Sequence, residues 1–242
     1  MNLIFVIGPV WTNLDVLLDT IDKNRKMLSN IKKIYIPTNH KDVEKYFIEN
    51  PNENILCKFF KENQGHQLSC YNSVIAGMHM VLENEKTNDN DIVIFSHEDC
   101  YVKNIDLFNN AINKIKNENY EIVCREFDAP KCFNHYDRYY MFDSFFIKKS
   151  VISKYFKDVK LLDKFYHFGD IPKDIFKYHC KDKKFGEGHF TKIIENGKIY
   201  SILYSAFPVN RNILTPIGRI LETHGTWKNT ELGFYHIPGR TS

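Results

Sequence analysis

The chain has 242 residues, with 43% hydrophobic, 26% charged and 14% aromatic side chains and a formal net charge of +3. That length supports one α/β domain with a full core and is short for two, and the apolar fraction excludes wholesale disorder. The lysines are scattered rather than gathered into a stripe, so no nucleic-acid partner is expected.

Six cysteines, Cys57, Cys70, Cys100, Cys124, Cys132 and Cys180, form no CxxC pair, and several lie in apolar runs. The expectation is free thiols in a reducing compartment. The apolar run Leu3 to Ile7, stopped by Gly8-Pro9, is too short for a signal core or a membrane span. A cytoplasmic location with no transmembrane segment is therefore expected, any membrane association being peripheral.

In chain order, a first strand over 3–7 is followed by Leu14, Leu17, Leu18 and Ile21 at the spacing of one helix face, which predicts a helix over 13–31. A strand over 34–36 stops at Pro37-Thr38-Asn39, and another over 55–60 stops at Glu62-Asn63-Gln64-Gly65. Val74, Ile75, Met78 and Leu82 predict a helix over 67–83. A fourth strand, 92–95, ends in Ser96-His97-Glu98-Asp99, and a helix over 105–115 and a strand over 121–124 follow. The second half reads as a strand over 139–147, a short helix over 149–156 and a charged, aromatic loop with short helix over 161–184. A helix over 187–196 comes next, closed by Gly197 in a left-handed cap. A final strand over 199–203 and, after Pro216, a tail of helix then loop complete the order.

Strands joined by helices imply an α/β fold with a mostly parallel central sheet flanked by helices. Ligands of such sheets bind beyond the carboxyl ends of the strands. That rule selects Gly8 to Thr12, Pro37 to His40, Asn63 to Gln67 and Ser96 to Tyr101 as walls of one polar crevice. Acidic residues delivered at the end of the strand over 92–95 suit a divalent cation bridging a diphosphate, which needs hard oxygen ligands. A solvated acidic turn is the plainer alternative.

Asn63-Gln64-Gly65 at the end of one strand, Tyr71-Asn72 on the following helix, and His97-Glu98-Asp99 after the next strand together resemble the GT-A glycosyltransferases, above all their large inverting family. There the pattern is NxGxxxARN followed by DxD. Here one extra residue intervenes, Tyr71 stands where Arg is usual, and the acidic motif is similar to an FxHxD variant. Met141 to Val151 resembles the irregular strand and helix that follow the donor half in that family. Phe185-Gly186-Glu187-Gly188-His189-Phe190 with Gly197-Lys198-Ile199-Tyr200 resembles its xED element, Gly188 replacing the Asp. Thr223 to Lys228 is similar to part of the HxGxxKPW element of retaining, glycogenin-like families.

The resemblance implies a single GT-A-like domain of the nucleotide-diphospho-sugar transferase type over 1–242. Its donor-nucleotide half is 1–103, and its acceptor half and C-terminal tail are 104–242. It implies transfer of a sugar from a nucleoside diphosphate sugar to a glycan or glycolipid hydroxyl, with inversion or retention left open. Gly8, Pro9, Thr12, Asn39, Asn63, Gly65, Gln67, Asn72, His97, Asp99 and Lys228 would bind the donor. A divalent cation, Mn2+ or Mg2+, would sit on Asp99 and His224, weakened by His97 in place of a carboxylate. Glu187 would be the general base, with Asp170 in reserve; the bland reading of Glu187 is a carboxylate favoured at a helix start. Tyr139, Tyr140, Phe165 and Tyr166 could floor an acceptor site, although core packing suits most of them better.

Two rivals stand beside this reading. One is a non-catalytic GT-A-like module that binds sugar or nucleotide, favoured by the substituted acidic motif. The other is a sugar-phosphate nucleotidyltransferase, disfavoured because Gly8 to Thr12 carries no Lys or Arg. The chain has no HExxH, G-x-S-x-G or G-x-x-x-x-G-K-[ST] motif, which weakens metalloprotease, hydrolase and nucleoside-triphosphatase readings.

Overall fold

A computed structural model describes residues 1–8, 14–62, 66–85, 91–128, 138–164, 186–203 and 232–236 of the chain. The alternation of side chains along β1 (Leu3–Ile7) shows why its apolar run is continuous: Leu3, Phe5 and Ile7 enter one core cluster and Ile4 and Val6 another. A strand read this way is covered on both faces. The first face is packed by α1 (Leu14–Met27), α2 (Lys41–Glu49) and α4 (Ile105–Lys116). The second is packed by α3 (His66–Asn84), α5 (Ile152–Phe156) and α6 (Gly186–Ile194).

Between the layers lie β1, β2 (Ile31–Thr38), β3 (Ile55–Phe59), β4 (Ile92–Ser96), β6 (Ile122–Asp128), β7 (Arg138–Lys148) and β8 (Ile199–Leu203). They form one seven-stranded sheet in the order β3-β2-β1-β4-β7-β6-β8. Six strands run one way, and β7 runs against both its neighbours. The expected mostly parallel α/β fold is therefore present. The chain builds outward from β1 to β3, then returns through α3 to place β4 on the other side of β1. The carboxyl ends of β1 and β4 are thus a topological switch point, the place where ligands of such sheets bind.

A smaller sheet pairs β5 (Cys100–Val102) with β9 (Phe234–His236). The buried Asn24 of α1 holds β5 from below: its amide donates to the Cys100 carbonyl at 3.5 Å and its oxygen accepts from the Val102 N–H at 2.9 Å. β9 is held by Gly233, whose φ of 82° suits glycine. The Gly233 carbonyl accepts from the N–H groups of Lys103 and Asn104 at 2.9 and 3.1 Å. Residues 233–236 are thereby stitched beside the turn that leaves β4.

Several sequence expectations need correction. The first helix ends at Met27 and β2 begins at Ile31, because Leu28 and Ile31 continue the apolar spacing of α1 while Ile31 already pairs with Leu3. β2 also runs through Pro37, near its end, where pairing with β1 has stopped at Tyr35. The helix α2 was not anticipated; only Val43 on it is fully buried, so its periodic signal is thin. Gly197 is not in the left-handed region; its missing side chain instead makes room for the Tyr155 hydroxyl. Residues 199–203 are not the last strand, since β9 forms where loop is expected. Of the cysteines, Cys57, Cys70, Cys100 and Cys124 are free thiols, and burial pushes Cys57 up to about 12.

Candidate functional site

The switch point is fixed by backbone first. The Gly8 N–H donates to the Ser96 carbonyl at 3.0 Å, locking the ends of β1 and β4 together. At the end of β2, Asn39 is 3% exposed and its amide donates to Ser69 Oγ at 3.2 Å, tying it to the first turn of α3. Among the described residues, Asn39 Oδ1, His40 Nε2 and Ser96 Oγ have no hydrogen-bond partner although each atom is buried. Such atoms cost about 1–3 kcal/mol each when nothing satisfies them. All three lie at the carboxyl edge of the sheet. The first turn of the 19-residue α3 adds backbone N–H groups with no intrahelical acceptor, a setting that favours an anion.

The acidic turn follows β4. The Cys100 N–H donates to the His97 carbonyl at 3.1 Å and closes it. His97 and Asp99 stay partly exposed, whereas Glu98 is buried. The His97 ring stands edge-on to Phe95 at 6.4 Å, so packing fixes its direction.

Across the crevice, α6 is seated by Phe190 against Phe145 at 5.0 Å and by Thr191, whose Oγ1 accepts from the Tyr140 N–H at 2.9 Å. One turn earlier on this helix stands Glu187. Desolvation raises its carboxyl above the ordinary glutamate range, against a lowering hydrogen bond from its own backbone N–H. Some of its surface remains open. The buried Cys70 thiol of α3 is pushed up by desolvation first, then by the charges of Glu98, Asp99 and Glu187.

Of the residues selected from sequence, Gly8, Asn39, His97 and Asp99 follow the carboxyl ends of β1, β2 and β4, Glu187 lies in the first turn of α6, and Gln67 belongs to the first turn of α3. Asn72 is fully buried and clamps residue 162: its amide donates to the Leu162 carbonyl and its oxygen accepts the Leu162 N–H, both at 2.8 Å. Tyr71 packs edge-on against Phe142 at 6.0 Å. Tyr139 is buried and Tyr140 partly so. Pro9, Thr12, Asn63, Gly65, Phe165, Tyr166, Asp170, His224 and Lys228 lie outside the described residues. Among the described residues, no three His, Cys, Asp or Glu side chains gather to hold a metal, and no helix is long and apolar enough to cross a membrane.

Sequence reasoning did not single out Ser69 or the pair Arg125–Asp143. Arg125 is 1% exposed on β6 and forms an ion pair with Asp143 of β7. The charged pair Arg125-Glu126, which interrupts the apolar run of β6, is the signal that could have found it.

No family model and no curated protein matches the sequence. Among solved structures, the chain is similar to a 2-C-methyl-D-erythritol 4-phosphate cytidylyltransferase from Francisella tularensis, at 13% identity and a TM-score of 0.49 over 92% of this chain and 98% of that one. It is similar to a 4-diphosphocytidyl-2C-methyl-D-erythritol synthase from Anaerococcus prevotii, at 12% identity and a TM-score of 0.48 over 91% and 95%. A mannosyltransferase from Pyrobaculum calidifontis, in complex with GDP-Man and Mn2+, overlaps at 12% identity and a TM-score of 0.44 over 86% of this chain and 57% of that one. These are likenesses in the course of the chain, and no activity is read from them.

Proposed function

We propose that the chain transfers a sugar from a nucleoside diphosphate sugar to a hydroxyl of a glycan or glycolipid. The observation that supports this reading is that Asn39, tied to the first turn of α3, and the acidic turn carrying Asp99 both lie at the carboxyl edge of the sheet, where β1 and β4 mark the switch point. Gly8 and Asn39 would face the nucleoside, and the first turn of α3 with Gln67 would lie toward the diphosphate. Pro9, Thr12, Asn63, Gly65 and Lys228 belong to the same proposal from sequence. Asn72 would serve the site indirectly, by fixing residue 162 against α3.

A divalent cation, Mn2+ or Mg2+, fits the chemistry of the partly open Asp99 carboxylate, with His224 as its second protein ligand. When bound, such a cation offsets the charge that builds on the leaving diphosphate. The pairing of β9 with β5 supports a role for the tail, because it anchors the chain downstream of His224 and Lys228 beside the acidic turn.

Glu187 would take the proton of the acceptor hydroxyl. A carboxylate with a raised pKa is the stronger base. Asp170 is the alternative base.

The test is a thermal-shift panel of nucleoside diphosphates and nucleotide sugars, with and without manganese, on wild type and Asp99→Ala. A ligand at about a hundred times its dissociation constant adds roughly 2.7 kcal/mol. One nucleotide should raise the melting temperature of wild type, and Asp99→Ala should lose the manganese-dependent part. A flat wild-type panel would sink the donor site.

A further inference from the structure

We propose that Asp143, held in place by the buried guanidinium of Arg125, is the residue that binds the hydroxyls of the transferred sugar. The inference rests on the nucleotide-sugar reading above and names a residue and a substrate feature that the reading leaves open.

Strand register places Asp143 beside the acidic turn. β4 and β7 pair from Ile92↔Lys148 to Ser96↔Ser144. Asp143 is the next residue of β7 beyond that last pair, level with His97 where β4 gives way to the acidic turn. On its other side, the register with β6 breaks at the same height. Cys124 faces Phe145 and Glu126 faces Tyr140, so Met141, Phe142, Asp143 and Ser144 stand opposite Arg125 alone. A bulge of this kind bends a strand and re-aims its side chains, and bulges concentrate beside functional sites.

The chemistry of the pair points the same way. Arg125 is 1% exposed, while the Asp143 side chain retains 19%. The guanidinium is therefore spent inside the protein, and the carboxylate keeps an open side. Arg125 engages Asp143 Oδ2, and the Ser144 N–H donates to Oδ1 at 2.8 Å. An ionised carboxylate has roughly four acceptor sites, so capacity is left on the open side. Buried ion pairs are weak evidence for stability, since apolar residues of similar volume often replace them at no loss. What the pair supplies is a carboxylate that is ionised and fixed in direction, suited to two adjacent hydroxyls that donate together. The predicted donor therefore carries a sugar with free neighbouring hydroxyls at the position that meets Asp143.

The test is calorimetric titration of the nucleoside diphosphate and of its nucleotide sugar into wild type and Asp143→Asn. The asparagine keeps an acceptor for Arg125, and melting curves establish that the variant is folded. If Asp143→Asn does not fold, the double variant Arg125→Met/Asp143→Leu replaces the ion pair with an apolar one and serves in its place. The expected result is that the bare diphosphate binds as in wild type while the nucleotide sugar weakens roughly tenfold or more. A deoxy-sugar analogue should bind wild type as weakly as the full sugar binds the variant. Equal weakening of both ligands, or of neither, would overturn the assignment while leaving the donor site standing. If wild type binds no nucleotide at all, the donor reading has failed and this inference falls with it.

Discussion

The two ends of the central sheet are built from similar residues and treat them in opposite ways. At the amino end, polar groups close on one another, and Asp91 Oδ2 is the atom of this network left buried without a hydrogen bond among the described residues. The Asn2 N–H donates to Asp91 Oδ1 and the Lys149 N–H to the Asp91 carbonyl, both at 3.0 Å. Lys32 and the Tyr35 hydroxyl converge on Glu85 at 2.6 and 2.8 Å, and Lys32 stands 4.0 Å from the second Asp91 oxygen. This network ties β1, β2, β4, α3 and the end of β7. At the carboxyl end, Asn39, Ser96 and Ser144 keep buried polar atoms without partners among the described residues, and Asp99, Asp143 and Glu187 keep open surface. Polar groups paired with each other stabilise a fold, and groups left over are available to a ligand.

The contrast is broken most directly at Asp91. This side chain is fully buried, and removing it strands the Asn2 N–H and takes a counter-charge from Lys32. Asp91→Ala should cost about 3 kcal/mol in chemical denaturation. The extra melting temperature conferred by a saturating nucleotide should be unchanged, because the network lies at the far end of the strands. Loss of that ligand increment in folded Asp91→Ala would mean that the two ends are coupled.

Much of this division was legible in the sequence, for a physical reason. The strands that carry the crevice have continuous apolar runs with abrupt polar ends, as in Ile92 to Asp99, and an abrupt end marks where a buried strand meets solvent. The rule about carboxyl ends of parallel strands then did the rest. Asp143 was not legible, because its place depends on β7 being antiparallel and slipping register against β6, and register is a property of pairs of strands. The amino-end network escaped for a similar reason: Asn2, Lys32, Glu85 and Asp91 look like unremarkable polar residues until the sheet brings them together. Asn72 shows the converse, a residue whose motif position suggests a ligand while its side chain secures residue 162.

Gly77 of α3 lies between the two ends and should affect both. A side chain there would run into Val6 of β1 and meet Pro37 Cγ of β2 at 3.3 Å. Gly77→Ala should cost about 1–3 kcal/mol through overpacking. Because α3 would have to lift from β1 and β2, its first turn would also move from Asn39, so nucleotide affinity should fall with stability. Retained affinity in a destabilised variant would show that the first turn of α3 adjusts independently of its middle.

The smallest expected effect sharpens the comparison furthest, because one carboxylate at each end is shifted in the opposite direction. At Glu85, desolvation works to raise the carboxyl, but hydrogen bonds from Lys32 and Tyr35 outweigh it and hold the group below the ordinary range. Its stabilisation is present above the unfolded pKa and is lost as pH falls through the folded one. Glu187 is raised, so the folded chain binds its proton more tightly than the unfolded chain does. Its contribution is a penalty that grows as pH rises from the unfolded pKa through the folded one. Melting curves between about pH 4 and pH 8 should therefore separate two isosteric variants. Glu85→Gln should be less stable than wild type at neutral pH and should lose less on acidification. Glu187→Gln should be slightly more stable than wild type at neutral pH and should converge on it in acid, while losing sugar transfer. A Glu187→Gln profile parallel to wild type throughout would place that carboxyl at an ordinary value and remove the electrostatic argument for it as the base.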